Sequence, residues 1–257
     1  MEHVLTEMRT VLSGDTLLDD PFFSHEETLV AFHRSAKSPA AAVERMRKTD
    51  AFRREQDVHR CLTDQALLSA EAEHRKLMLY GRLVDQKGRC WLLNRIGAWD
   101  VKAVCAMVSE DKDLFIRLHC VSMECLSELR RSHSGSGIAA VVDLKGLSRH
   151  FVSPHLISSL VALDKVDAAH YPHCMLKPLY VVNAPAAFAH LWAMLSRLLS
   201  KERRDALKIF SSVPEELVDE IGADYLPLAL RGNRTDVEPY GAIAADAPAP
   251  ATAVDVS

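Results

Sequence analysis

Apolar residues recur at helical spacing through the first third of the chain, and this pattern predicts four helices. The first covers residues 1–12. The other three begin at residue types that cap helices, which are Ser24, Ser38, and Thr63 or Asp64. Ser24 is followed three residues later by Glu27, as in a capping box. We therefore expect a helical N-terminal lobe over residues 1–75.

The pattern changes character near residue 76. Two strand-like runs flank the polar turn "DQKG" and predict a hairpin. A helical pattern over 101–131 is followed by the apolar run Ile138 to Val142, which predicts a strand buried on both faces. A helix from Ser153, a strand over 179–182, a helix after "NAP", a strand over 206–210 and a short helix complete the pattern. This alternation predicts an α/β fold.

The helix after "NAP" is apolar on nearly every side. One helical stripe contains Phe188, Leu191, Trp192, Leu195 and Leu199, and the other face is rich in alanine. A helix of this kind is usually buried all round. Periodicity does not decide whether its second face meets protein, a membrane or an apolar ligand.

Composition and charge narrow the class of protein. The chain has 257 residues, of which 48% are hydrophobic and 26% are charged, as in ordinary soluble globular proteins. Its formal net charge of -4 argues against nucleic acid as a partner. The Ala- and Pro-biased tail over 233–257 predicts disorder.

The compartment is predicted from the cysteines and the apolar runs. The six cysteines form no CxxC pair, which favours free thiols in a reducing cytoplasm. The first fifteen residues are charged throughout and lack a secretory apolar region. The longest apolar runs are too short to span a bilayer, so we expect a cytoplasmic protein that touches a membrane without crossing it.

Motifs for metal binding or catalysis are weak. His170, His173 and Cys174 form a cluster with zinc-ligand chemistry, but structural zinc sites usually take four ligands from tight pairs, so we expect no metal. A hydrolase using Asp143, His150 or His173 is an alternative, although no nucleophile-and-base spacing supports it. The sequence has no P-loop, GxSxG or HExxH motif. We therefore expect a protein that is not an enzyme.

Several short motifs occur together and in order. These are "DQKGRCWLLNRIGAWD", "VVDLKGLS", "YP", "YVVNAP", "KIF" and "YLPLALRGN". Together they resemble the CRAL-TRIO family of lipid-binding and lipid-transfer proteins, whose founding members exchange phosphatidylinositol. The resemblance runs from about Ser24 to Gly232. It implies a lipid-binding domain over 76–232, in which a mixed β-sheet with flanking helices encloses an apolar lipid cavity.

The resemblance also implies a site. The helix after "NAP" would be a gate over the cavity, and the cavity and gate residues would be Ile138, Ala140, Phe188, Leu191, Trp192, Leu195 and Leu199. Lys208 matches the family lysine that meets a phosphoinositol headgroup. His173 replaces the family's acidic residue after "YP", and Arg203 and Arg204 are further headgroup candidates. Ile138 and Ala140 replace hydroxyl-bearing residues, which would suit a sterol, an isoprenoid or another less polar ligand.

The predicted function is therefore cytosolic binding or transfer of one lipid, either a phospholipid or another hydrophobic small molecule. The protein would be a monomer without a cofactor other than its lipid, and would contact membrane surfaces transiently. The alternative is a lipid-sensing regulatory module that recruits partners and does not transfer lipid.

Overall fold

The structure is a computed structural model, and it describes residues 1–133, 137–147, 153–174, 176–197, 199 and 201–235. The predicted tail lies outside these residues from position 236 onward. The first part is helical, as the pattern predicts. Its helices are α1 (Glu2–Val11), α2 (Pro21–Ser24), α3 (Glu26–Arg34), α4 (Pro39–Glu55) and α5 (Gln65–Met78).

Two of the predicted helix starts are confirmed. Ser38 and Asp64 cap α4 and α5, since each side chain accepts hydrogen bonds from N–H groups of the first turn. The start predicted at Ser24 is wrong. Asp20 caps α2 instead, with a proline directly after it at the favoured first position, and α3 begins only at Glu26.

A five-stranded sheet forms the centre of the fold. Its strands, in spatial as well as chain order, are β1 (Tyr80–Val84), β2 (Cys90–Asn94), β3 (Ile138–Asp143), β4 (Leu176–Val182) and β5 (Leu207–Ile209). The hairpin β1–β2 is antiparallel, and the remaining pairs are parallel. The sheet is therefore mixed, which confirms the predicted fold class.

The helices that follow the hairpin flank this sheet. They are α6 (Val101–Glu110), α7 (Lys112–Arg131), α8 (Pro154–His170), α9 (Phe188–Leu195), α10 (Lys201–Ala206) and α11 (Glu215–Ile221). The helical pattern predicted over 101–131 is confirmed, but it forms two helices instead of one. It breaks at Asp111, whose backbone is extended and whose carboxylate caps α7. The strand predicted from Ala206 begins one residue later, because α10 ends there.

The two faces of the sheet bury different side chains, because successive strand residues point to opposite sides. One face carries Trp91, Val141 and Tyr180, and α11 with the segment after it covers this face. On the other face, Cys90 and Ile138 pack at the start of β2 and β3 against the N-terminal helices. Farther along the strands, this second face is separated from its helices by a cavity.

Candidate functional site

The cavity lies between the sheet and the four helices α5, α7, α8 and α9, and its volume is about 300 Å³. Its floor is a row of residues paired across four strands, which are Leu92, Ala140, Leu179 and Leu207. Ala140 stands in the middle of this row with the smallest side chain. Pockets for small molecules start at about 300 Å³, so the cavity is large enough for a small ligand.

Three helices form the roof, and each presents one face to the cavity. The roof side chains are His74 and Met78 of α5, His119, Ser122 and Met123 of α7, and Leu160, Leu163, Asp164 and Asp167 of α8. Within each helix they recur at steps of three or four residues, which is the spacing of one helical face. These helices were predicted from the sequence, but none of these nine residues was predicted as a site residue.

Polar and apolar groups are separated along the strand order. Tyr80 on β1 and Asn94 on β2 are polar, whereas the lining residues of β3, β4 and β5 are alanine, valine or leucine. On the roof, His74 lies beside Tyr80, and His119 is paired with Asp167, so these polar residues extend the polar side. The cavity therefore has a polar end beside β1 and an apolar end beside β5 and α9.

Hydrogen bonds hold the polar end in place. His119 Nε2 lies 2.6 Å from Asp167 Oδ1 and thereby links α7 to α8. Behind the lining, Glu71 accepts hydrogen bonds at 2.9 Å from the Tyr80 hydroxyl and from Arg82 Nη2. Arg82 Nη2 also donates to Ser122 Oγ at 3.0 Å. The polar side chains at this end are therefore oriented by their neighbours.

His74 is the exception in this network. Its side chain lines the cavity and is 4% exposed, and its Nδ1 lies 3.5 Å from the Tyr80 hydroxyl. Its Nε2 has no hydrogen-bond partner among the described residues. Burial lowers the pKa of His74 to about 4, and burial also raises the pKa of Tyr80 above its usual value. Both side chains are therefore neutral near pH 7.

Helix α9 closes the apolar end. Trp192 and Leu199 line the cavity. Phe188 lies beside them in a cluster with Leu144 and Val181, and its ring stacks on that of Trp192 with centroids 6.4 Å apart. The predicted gate residues Leu191 and Leu195 belong to α9, but their side chains lie outside the described part of the structure.

The opposite side of α9 is exposed. Ala189 and Ala193 on the helix, and Ala186 and Ala187 just before it, are all exposed. The sequence of α9 is apolar on both sides because its inner face lines the cavity and its outer face consists largely of exposed alanine. One side lines the cavity, and the described residues leave the other side uncovered.

Both ends of α9 are attached by polar contacts. Asn183, at the turn before the helix, has a left-handed φ of 55°, and its Nδ2 donates to Asp143 Oδ1 at 2.8 Å. At the other end, Arg204 Nη1 donates to the carbonyls of Ser196 and Leu199 at 2.9 and 2.7 Å. Arg204 thus lies at the C-terminal end of α9, where cations are favourable.

Lys208 lies on the other face of the sheet. Its neighbour Leu207 lines the cavity, so alternation along β5 directs Lys208 away from it. Lys208 Nζ donates to the Tyr180 hydroxyl at 3.1 Å and lies 3.4 Å from Glu216. The hydrogen bond to Tyr180 raises the pKa of Lys208. The structure does not bring this residue to the cavity.

His173 lies in a different depression. This groove, of about 710 Å³, is lined by Arg34, Arg130 and Lys177 as well as His173. His173 Nε2 lies 3.1 Å from Ser127 Oγ, and burial lowers the pKa of His173 to about 3. A neutral imidazole supplies no cation for a phosphate. The side chain of Arg203, the remaining headgroup candidate, lies outside the described part of the structure.

The candidate metal cluster is not assembled in the described residues, which contain no group of three histidine, cysteine or carboxylate side chains placed to hold a metal. His170 stacks on Phe52 with ring centroids 4.0 Å apart, away from His173. All six cysteines are unpaired, as predicted. His150, named in the hydrolase alternative, lies outside the described residues.

Among the helices that the structure describes, none is both long and apolar enough to cross a bilayer.

Comparison with known proteins adds a family match. The family model described as the CRAL/TRIO domain matches residues 72–232. Curated proteins named "Protein real-time" from Anopheles gambiae and Aedes aegypti are 28% identical over 163 residues and 32% identical over 150 residues. These alignments cover 58% and 56% of this chain but 23% of each relative. The chain therefore spans about a quarter of the length of the relatives that it matches.

A solved structure shares the fold. The match is titled "Crystal structure of Sfh5", with a TM-score of 0.64 and 17% sequence identity. It covers 86% of this chain and 80% of that chain. The similarity therefore extends over the N-terminal helices as well as the sheet.

Proposed function

The chain belongs to the CRAL/TRIO family of lipid-binding and lipid-transfer proteins, and from that membership we propose that it encloses one amphiphilic lipid in the cavity beneath α9 and carries it to and from membranes. The observation that supports this most strongly is the cavity itself. Its apolar end is lined by Ala140, Leu179, Trp192 and Leu207, and its polar end by fixed hydrogen-bonding groups. An amphiphile matches this separation of polar and apolar lining.

The driving force is burial of apolar surface. Each methylene removed from water contributes about 0.8 kcal/mol. A lipid that leaves a bilayer gains little from this, since it moves from one apolar medium to another. Its polar group must therefore supply the selectivity, through the few convergent polar groups that ligand pockets use.

We propose α9 as the gate of the cavity. Its inner face carries Trp192 over the apolar end, and its outer face is exposed alanine. Contacts by Asn183 and Arg204 attach its two ends and leave the middle free of such polar anchors in the described part of the chain. A helix with an apolar outer face is suited to a membrane interface while the cavity is open.

Lipid uptake tests the proposed function. Purified protein is incubated with liposomes of mixed phospholipid and sterol, separated from them, and examined by native mass spectrometry for a bound lipid. Transfer is then measured between donor and acceptor vesicles. Protein without lipid in both measurements would contradict the proposal. Bound lipid without transfer would favour the lipid-sensing module, which recruits partners.

Filling the floor of the cavity should weaken lipid binding. Ala140→Phe adds a ring in the middle of the floor, where Leu92 and Leu179 flank it. We expect affinity for a fluorescent apolar probe to fall about tenfold, since the added ring competes for the ligand's space and overpacking costs roughly 1–3 kcal/mol. The measurement is equilibrium titration with N-phenyl-1-naphthylamine.

Ala140→Val is the graded control for that experiment. It adds two methyl groups, favours a strand, and should give an intermediate loss. Circular dichroism and thermal unfolding show whether each variant keeps its fold. Unchanged probe affinity in both folded variants would place the ligand outside this cavity.

The headgroup role of Lys208 remains a prediction from the resemblance. If a phospholipid is held as the resemblance implies, Lys208→Ala removes a charge-assisted contact of about 1.5–3 kcal/mol. Binding of phosphatidylinositol then weakens by roughly tenfold to a hundredfold. Cholesterol binding should not change, because Lys208 lies on the sheet face opposite the cavity. Equal affinity of both proteins for phosphatidylinositol would reject this role.

A further inference from the structure

We propose that Arg204 is a latch on α9, which holds the C-terminal end of this helix closed and thereby sets the rate at which ligand enters and leaves the cavity. The latch rests on the proposed function, because it takes α9 as the gate. This role differs from the headgroup contact predicted for Arg204 from the sequence. Three observations support it, and each concerns how α9 is attached to the rest of the molecule.

The first observation is where the guanidinium of Arg204 binds. A single nitrogen, Nη1, donates to the carbonyl oxygens of Ser196 and Leu199 at 2.9 and 2.7 Å. Ser196 directly follows α9, and its N–H donates to the carbonyl of Trp192 at 2.8 Å, so it continues the last turn of the helix. The last carbonyls of a helix lack partners within the helix, and the helix dipole favours a cation there. Arg204 therefore stabilises the end of α9.

The second observation is that this contact joins the cavity wall to the sheet. Leu199 lines the apolar end of the cavity together with Trp192. Arg204 belongs to α10, which leads directly into β5, and Leu207 of β5 is paired with Leu179 in the floor of the cavity. The Arg204 side chain thus connects the movable wall to an element that is fixed in the sheet. Leu199 can move away from the floor only when its hydrogen bond to Arg204 breaks.

The third observation is that the two ends of α9 are attached unequally. Before the helix, Asn183 Nδ2 donates to Oδ1 of Asp143, which is 1% exposed, at 2.8 Å. The N–H of the next residue, Ala184, donates to the carbonyl of Phe210 at 3.0 Å. Arg204, by contrast, is exposed, so water can replace its bonds when they break. A bond to a buried carboxylate costs more to break, because the carboxylate loses a donor away from water. The C-terminal end of α9 is therefore the end that opens first.

A latch and a headgroup contact have different consequences for binding. A headgroup contact stabilises the bound lipid, so its loss weakens the affinity for anionic lipids. A latch stabilises the closed position of α9 with or without ligand. Its loss increases the open population in both states, so ligand enters and leaves faster by the same factor and the dissociation constant does not change. Measuring both rate constants therefore separates the two roles.

The test is stopped-flow fluorescence with N-phenyl-1-naphthylamine, a probe without a charged group. We expect Arg204→Ala to raise the association and release rate constants about fivefold each, which corresponds to about 1 kcal/mol, and to leave the dissociation constant within about twofold of wild type. Arg204→Lys keeps the charge but loses the planar fork, so it should give a smaller rise in both constants. Hydrogen exchange of Arg204→Ala should be faster over residues 192–199 and unchanged over residues 180–185.

Arg47→Ala is the matched control, because Arg47 is an exposed arginine of α4 that is paired with Asp15 at 2.8 Å and does not line the cavity. It should leave both rate constants as in the wild type. Folded Arg204→Ala protein with wild-type rate constants, or with faster release and unchanged association, would overturn the latch alone. If Arg204→Ala does not fold, wild-type rate constants in Arg204→Lys would overturn it. Wild-type protein that takes up neither probe nor liposome lipid would overturn the proposed function as well.

Discussion

Replacing Glu124 by leucine is expected to lower the free energy of unfolding by about 3–5 kcal/mol. Glu124 of α7 accepts a hydrogen bond from Arg53 Nη1 of α4 at 2.5 Å, and both side chains are less than 8% exposed. The guanidinium carbon of Arg53 also lies 3.9 Å from the centre of the Phe22 ring. Without Glu124, the buried Arg53 charge would lose the carboxylate that pairs with it. Urea unfolding followed by circular dichroism measures the loss.

A double variant separates the ion pair from simple packing. Arg53→Met with Glu124→Leu removes both charges and keeps similar volumes, and apolar replacements of buried pairs are often neutral or stabilising. We therefore expect the double variant to recover most of the stability lost in Glu124→Leu. If the double variant loses as much free energy of unfolding as the two single variants together, the Arg53–Glu124 pair contributes no coupling energy between α4 and α7.

The sequence predicts the order of elements well because the signals there are local. A capping side chain such as Ser38 or Asp64 acts within one turn, so its effect is visible in the sequence itself. The strand that begins at Ile138 coincides with an apolar run whose length is typical of a strand. The break at Asp111 was missed because apolar spacing continues across it, and only the extended backbone at that residue separates α6 from α7.

The site was predictable only in part. The apolar stripe after "NAP" and the family match indicate Trp192, Ala140 and Leu199, and the structure places all three around one cavity. The polar end was missed because it is assembled from three helices and two strands distant in the chain. Asp164 and Asp167 do continue the spacing of Leu160 on α8, which is the one local signal that could have found them.

Two residues show why family motifs alone do not place side chains. Ile138 and Ala140 point to the same face of β3, but Ile138 lies at the start of the strand and packs against the N-terminal helices. Lys208 follows a cavity residue directly and so faces the opposite side. Register and strand position decide both outcomes, and neither follows from residue type.

Helix α9 has a composition that its position explains. Trp192 faces the cavity while Ala189 and Ala193 are exposed, so the helix has two apolar faces with different neighbours. An ordinary helix buried between layers would have protein on both sides. If α9 is the gate, its inner face meets ligand when closed, and a charge there should impair binding more than any other single change on the helix.

Trp192→Asp is therefore expected to weaken equilibrium binding of N-phenyl-1-naphthylamine roughly a hundredfold and to slow lipid exchange between vesicles accordingly. The aspartate would stand at the apolar end, where Leu207 and Leu199 line the cavity and no described lysine or arginine lies in the wall. An acidic residue in an apolar medium costs about 2.5–3.5 kcal/mol on membrane-insertion scales, which corresponds to that loss.

Trp192→Phe is the control, since it keeps an apolar ring and should bind within a fewfold of wild type. Circular dichroism and thermal unfolding should remain near wild type for both variants, because the exposed outer face of α9 lets the helix shift without opening the core. A Trp192→Asp protein that is folded and binds the probe normally would remove α9 from the cavity wall, and one that is unfolded while Trp192→Phe is stable would make α9 part of the core and contradict the gate.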